Sequence, residues 1–129
     1  MIKVPKKIEY SLMLMAYLSE SKDENTSLRQ VAERLALPYR YLARIAADLK
    51  KGGVLISKEG KLGGYVMDGG WRQKNFFELL TILGENKRMV KCFDGDCGRA
   101  EGCRWQKLWR RLEKGLSGEL KKINLGDIC

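Results

Sequence analysis

The chain has 129 residues, with 25 Lys and Arg against 16 Asp and Glu, no histidine and a formal net charge of +9. A 44% hydrophobic content excludes a disordered polyelectrolyte, and the longest apolar run, around Leu12–Leu18, is too short to cross a membrane. With no cleavage-site pattern behind that run, the expectation is a cytoplasmic protein: one compact domain, or a small module with an association element.

Pro5 opens a first helix, about Pro5–Ser21, with Ile8, Leu12, Met15, Ala16 and Leu18 inward. A polar break, "SKDENT", precedes a second helix, "SLRQVAERLA", in which Ser27 and Gln30 have capping-box spacing. The short connection "LP" leads to a basic third helix, about Pro38–Lys51, stopped by Gly52 and Gly53. Two helices joined so tightly, the second one basic, match a helix-turn-helix. "VLISKE", a turn "GKLGG" and "YVMD" then read as a β-hairpin, which makes the unit winged. A fourth helix, about Asn75–Gly84, precedes a cysteine-containing loop. The last helix, about Arg104–Asn124, carries Trp105, Leu108, Trp109, Leu112, Leu116, Leu120 and Ile123 at spacings of three and four. That stripe exceeds what a small domain can cover, and it predicts a symmetric homodimer. Gly115 and Gly118, costly in a helix interior, suggest that another backbone passes close; folding back onto its own domain is the alternative. The fold class is thus mostly α with a small β-hairpin wing: a winged helix-turn-helix region over 1–72, then a helix, a loop at about 87–103 and a dimerisation helix over 73–129.

Excess positive charge points to a polyanion, double-stranded DNA first. Tyr39, Arg40, Tyr41 and Arg44 stand at the start of the third helix, where side chains reach base edges; Tyr41 and Leu42 can instead belong partly to the core. Lys3, Lys6, Lys7, Arg29, Lys50, Lys58 and Lys61 are the expected phosphate contacts. Two such helices in a dimer predict an inverted-repeat operator. No catalytic constellation is present: histidine is absent, and there is no phosphate-binding glycine loop or paired carboxylate on a shared face.

"KCFDGDCGRAEGC" places Cys92, Cys97 and Cys103 in one glycine-rich loop. Thiolates suit iron–sulfur clusters and zinc alike. The spacing differs from the paired knuckles of zinc sites, and no His completes a fourth position. Cys129, last in the chain, is expected to be a frayed, exposed thiol.

The recognition-helix segment "YLARIAADLKKGGVL", the wing "GGY", the Cys-x4-Cys-x5-Cys loop and "LW…INLGDI" together resemble the IscR/NsrR/RirA type of bacterial transcription regulators, in the Rrf-two superfamily. The resemblance spans nearly the whole chain. It implies a homodimeric regulator, not an enzyme, that senses redox state, nitric oxide or iron–sulfur status through a cluster on Cys92, Cys97 and Cys103. Three thiolates and one further ligand can hold either a 2Fe–2S or a 4Fe–4S core, and 2Fe–2S is the expectation placed slightly ahead. Some relatives take the fourth ligand from a His three residues after the last cysteine, where this chain has Gln106. Others use a carboxylate near the start of helix one, reaching from the other protomer, a position that Glu9 matches. Asp94, Asp96, Glu101, Gln106 and Cys129 are the other candidates. Ala43 and Glu59 replace an acidic residue and an Arg common in relatives, so operator preference does not carry over. The alternative is a cluster-free or zinc-stabilised winged-helix protein controlled by a partner protein.

Overall fold

The computed structural model describes residues 3–21, 26–59, 63–90, 97–99 and 101–129. It is mostly helical with one two-stranded antiparallel hairpin, the expected class. Helices α1 (Lys6–Glu20), α2 (Leu28–Leu35) and α3 (Tyr39–Lys51) precede strands β1 (Leu55–Lys58) and β2 (Gly64–Met67). Then come α4 (Phe76–Ile82), α5 (Gln106–Lys122) and a short α6 (Leu125–Ile128).

Local chemistry fixes the ends. The Ser27 hydroxyl accepts from the Gln30 N–H while the Gln30 carboxamide accepts from the Ser27 N–H, the reciprocal cap that the spacing predicts. Asn75 and Glu78 form a second such box at α4, one that the sequence reading did not pick out. The turn between α2 and α3 is held by Ala36 in the left-handed region (φ 54°), its N–H aimed at the carbonyls of Ala32 and Glu33. A non-glycine residue there costs about 1 kcal/mol or more, offset by closing the turn tightly enough to pack α2 on α3.

One core runs through the molecule. Leu14 and Met15 of α1, Leu42, Ile45, Ala46 and Leu49 of α3, and Leu79 of α4 are fully buried in it. The hairpin register pairs Ile56 with Val66 and Ser57 with Tyr65, and the Asp68 N–H donates to the Val54 carbonyl at its root. Gly52 is required where it stands: a Cβ there would lie 2.5 Å from the Ile82 side chain, so α3 ends against α4.

The chain's last segment departs from expectation. The long helix stops at Lys122, and Ile123 and Asn124 turn extended. The Phe76 N–H donates to the Ile123 carbonyl and the Leu125 N–H to the Lys74 carbonyl, both at 2.8 Å. This strap buries Leu125 completely and sets Gly126 so close to Arg72, in the turn Trp71–Gln73, that a Cβ would lie 2.8 Å from the Arg72 Cβ. The end of the chain therefore does fold back onto its own domain, and α5 lies against α4, with Lys121 Nζ 4.8 Å from the Phe77 ring centroid, without burying any residue of its own.

Candidate nucleic-acid interface and cysteine loop

Helix α3 divides cleanly. Its apolar residues recur at three and four, and Leu42, Ile45, Ala46 and Leu49 turn inward. Arg40, Arg44 and Lys51, at spacings of four and seven, are left exposed along one ridge. Tyr39 is also exposed, and the Arg29 guanidinium lies over its ring, 4.1 Å from the centroid. A groove of about 410 Å³ runs between this corner and the wing, lined by Ser27, Arg29, Tyr39, Ala43, Gly64 and Tyr65. The wing is docked rather than splayed: Gly64, at φ 154°, would bring a Cβ within 3.0 Å of the Thr26 carbonyl.

Two of the expected contact residues are engaged within the fold. Tyr41 does not share the outward ridge; it is half-buried and meets Tyr10 edge-on, centroids 5.6 Å apart and planes at 77°. Its place on the inner flank follows from its position one residue before Leu42. Lys7 is committed to the fold: its ammonium donates to the Leu83 carbonyl at 2.7 Å and pairs with Asp48 at 2.9 Å, tying α1 to α3 and the end of α4. Lys3, Lys6 and Lys50 are exposed, and Lys58 is half-buried on β1. Lys6 pairs with Glu9 at 2.9 Å, and that hydrogen bond holds its ammonium pKa above the ordinary lysine value. Lys61 lies outside the described residues.

Of the loop thiols, Cys97 and Cys103 are half-buried and in no disulfide; Cys92, Asp94 and Asp96 lie outside the described residues. Among the described residues, no three His, Cys, Asp or Glu side chains converge. The donor set nevertheless suits an iron–sulfur cluster. Cys97 and Cys103 are free thiols, soft donors of the kind such a cluster takes, and Gly102 at φ 78° lets the backbone turn before Cys103. Glu9 is exposed on the first turns of α1, Glu101 is exposed, and Gln106, the first residue of α5, is half-buried. Cys129 is not frayed. It is half-buried against the core, and its thiol pKa is raised by burial foremost, with Glu20 adding and Arg72 opposing.

No residue of α5 is buried. Trp105, Leu108, Leu112, Leu116 and Ile123 are exposed, from 39% at Ile123 to 63% at Trp105, whereas Trp109 and Leu120 are half-buried. At 3.6 residues per turn, Gly115, seven residues on from Leu108, borders this stripe, whereas Gly118 falls on the other side of the helix; among the described residues a Cβ at either meets nothing within 4 Å. A cleft of about 670 Å³ opens between α5 and the rest of the molecule. Val4, Pro5 and Ile8 of the N-terminal region, Phe76 of α4 and Met89, on the way into the cysteine loop, all border it.

The sequence profile of the Rrf2 family, described as "Iron-dependent Transcriptional regulator", matches residues 4–129. The chain belongs to that family. It is similar to the "HTH-type transcriptional regulator IscR" of Vibrio campbellii, 26% identical over 129 residues covering 98% of this chain and 77% of that protein. Against the IscR of Cronobacter sakazakii it is 29% identical over 102 residues, 78% of this chain and 63% of the relative. In fold it is similar to "CymR (YrzC) the Global Cysteine Regulator of B. subtilis" (TM-score 0.75, 24% identity, 99% of this chain and 96% of that one). It also resembles "T. potens IscR" (TM-score 0.66, 23% identity, 98% and 85%). The family is one of winged-helix transcription regulators and not of enzymes. Among the described residues, no helix is long and apolar enough to cross a membrane.

Sequence reading missed the Arg29–Tyr39 stack and the C-terminal strap. The stack had a signal, an aromatic residue opening α3 with an Arg in the first turn of α2. The strap had a weaker one, the Asn124 break.

Proposed function

We propose that the chain is a homodimeric regulator that binds an inverted-repeat operator and takes its signal through an iron–sulfur cluster on Cys92, Cys97 and Cys103. The observation that carries the DNA reading is the exposed Arg40–Arg44 ridge beside the wing groove, on a helix whose other face is wholly buried. Arg40 and Arg44 take base edges, and Arg29, Lys50, Lys58 and Lys61 take phosphates. Tyr39 supports Arg29. The exposed stripe from Trp105 to Ile123 is the dimer surface, since nothing among the described residues covers it.

A cluster bound in the loop supplies a centre that changes charge with redox state or is dismantled by oxidants and nitric oxide. Glu9 of the partner subunit completes the ligand set, which requires it to leave Lys6. Signal reaches DNA through packing. The residues leading into the loop share a cleft with the start of α1, and α1 is pinned to α3 by Lys7 and Asp48.

Anaerobic purification with iron, sulfide and resonance Raman analysis tests the cluster, and operator binding by the same sample before and after its removal tests the coupling. Iron and sulfide in near-equal amounts, with affinity that changes on removal, is the expected result. Glu9→Ala should alter the spectrum; an unchanged spectrum, cluster stability and DNA response would remove Glu9 from the site. A second reading is a cluster-free or zinc-stabilised regulator controlled by a partner protein, prompted by the absence of a converging ligand set among the described residues. Colourless protein that still selects an operator, and stays colourless on reconstitution, would establish it.

A further inference from the structure

Helix α5 carries a second surface that the reading above does not use. From Gln106 to Lys122 it holds six basic and two acidic residues, a net +4 of the chain's +9. Both acids are occupied elsewhere: Glu113 with Arg88 at 3.0 Å and Glu119 with Lys122 at 2.8 Å. Lys107, Arg111, Lys114 and Lys121 recur at four, three and seven, so at 3.6 residues per turn they share one side of the helix, facing away from the apolar stripe. All four are exposed, Lys121 at the domain end of the row with its Nζ 4.8 Å from the Phe77 ring centroid. They form a ridge of about 21 Å at 1.5 Å per residue. No acidic residue shares that side. Cations in the first half of a helix also oppose its dipole, a cost of a few tenths of a kcal/mol each, so the ridge is not there to stabilise α5.

We propose that this ridge is a second duplex-DNA surface, which engages phosphates flanking the operator once the recognition helices are seated. The inference rests on the DNA-regulator reading. Two features favour a phosphate track over an acidic protein. On α5 itself the ridge presents no apolar or aromatic side chain to form the desolvated centre of a protein interface, and the one ring beside it, Phe77 of α4, is half-buried under Lys121. Cations alone, strung along one line, are what counterion release from DNA rewards. Seating the operator also holds the flanking duplex near the dimer at high effective concentration, so a weak extra contact is enough. Lys107 stands close to the cysteine loop and can serve charge balance there; Arg111, Lys114 and Lys121 lie farther along and isolate the ridge.

The test uses the full-length protein and an operator selected by it from random duplexes. Binding is compared on a core duplex of roughly 25 base pairs and on the same core extended to roughly 60, as two half-sites one turn apart require. The parent should gain about tenfold or more from the flanks, with a steeper salt dependence on the longer duplex. The variant R111Q/K114Q/K121Q should bind the core as the parent does and lose the gain, its salt slope falling by about 0.9 for each contact removed. These positions are exposed, and circular dichroism checks the fold. No gain from flanks in the parent, a variant that keeps the gain, or equal loss on both duplexes would each overturn the proposal. So would unchanged binding on both duplexes with a loss seen only when RNA polymerase is added, which would assign the ridge to a protein. A parent that selects no duplex sinks the DNA reading and the ridge with it; a parent that selects one without using flanks sinks the ridge alone.

Discussion

Helices α3 and α5 are both amphipathic, and they meet opposite fates. In α3 the apolar side is swallowed whole, with Leu42, Ile45, Ala46 and Leu49 all at zero exposure. In α5, longer and carrying more leucine, no side chain is buried. Periodicity declares which face of a helix wants cover, but not whether the cover comes from the same chain. Helix α3 is a folding element. Helix α5 is left for the association element of the proposed dimer, fastened to its own domain mainly at its C-terminal end by the strap through Leu125.

The largest predicted effect exploits that contrast. Leu42→Ala should cost about 2–5 kcal/mol of stability, because it opens a cavity where the surroundings relax only in part. Leu112→Ala should leave monomer stability within about 0.5 kcal/mol, as surface positions do. Instead it should weaken the dimer by about 1 kcal/mol or more. Urea melts at low concentration read the first quantity and sedimentation equilibrium reads the second. Equal losses in the melts would erase the distinction between the two helices.

The parts legible in the sequence were those fixed within a few residues. Ser27 and Gln30 cap α2, Pro38 and Gly52 bracket α3, and the glycine turn sets the hairpin, all through local chemistry. The strap was not legible, since pairing Asn75 with Asn124 is a contact between residues remote in sequence, to which neither periodicity nor capping refers. Lys7 shows the same limit at the candidate site. It reads as one of several cations near the N-terminus, and only tertiary packing sets it against Asp48 and the Leu83 carbonyl. Arg40 and Arg44 were legible because the helix period alone turns them away from Leu42 and Ile45.

On α3 the exposed ridge should divide specificity from affinity. Arg40→Ala should lose about 1–3 kcal/mol of discrimination at one base pair, the worth of a bidentate contact. Lys50→Ala should weaken operator and random duplex alike, with a smaller salt slope. Competition binding against single-base operator variants separates the two, and an inverted result would exchange their roles.

Gly118 offers a smaller effect of opposite sign. It sits away from the apolar stripe with open space around its Cα, so Gly118→Ala should stabilise the helix by about 1 kcal/mol through chain entropy. The dimer should remain intact. If the melting temperature falls and the dimer loosens together, a second backbone crosses at this glycine, and the dimer surface wraps farther around α5 than the leucine stripe indicates.

The smallest effect belongs to Cys129. Burial favours its neutral thiol, so the folded-state pKa lies above the ordinary thiol value. At pH below that ordinary value the thiol is protonated in both states, and its contribution to stability is fully present. As pH climbs from about 8.5, the unfolded chain releases its proton first, and the contribution is lost as pH passes through the raised folded value. The thiol stays partly open to water, so the change should fall well short of the roughly 1.4 kcal/mol that a full-unit shift carries. Urea midpoints of parent and Cys129→Ala, taken across mildly alkaline pH, isolate it because every other group is common to the two proteins. A steeper alkaline decline in the parent is the expected outcome. Parallel curves would mean that the chain's last residue is as open to water as the face of α5, and that the strap ends at Leu125.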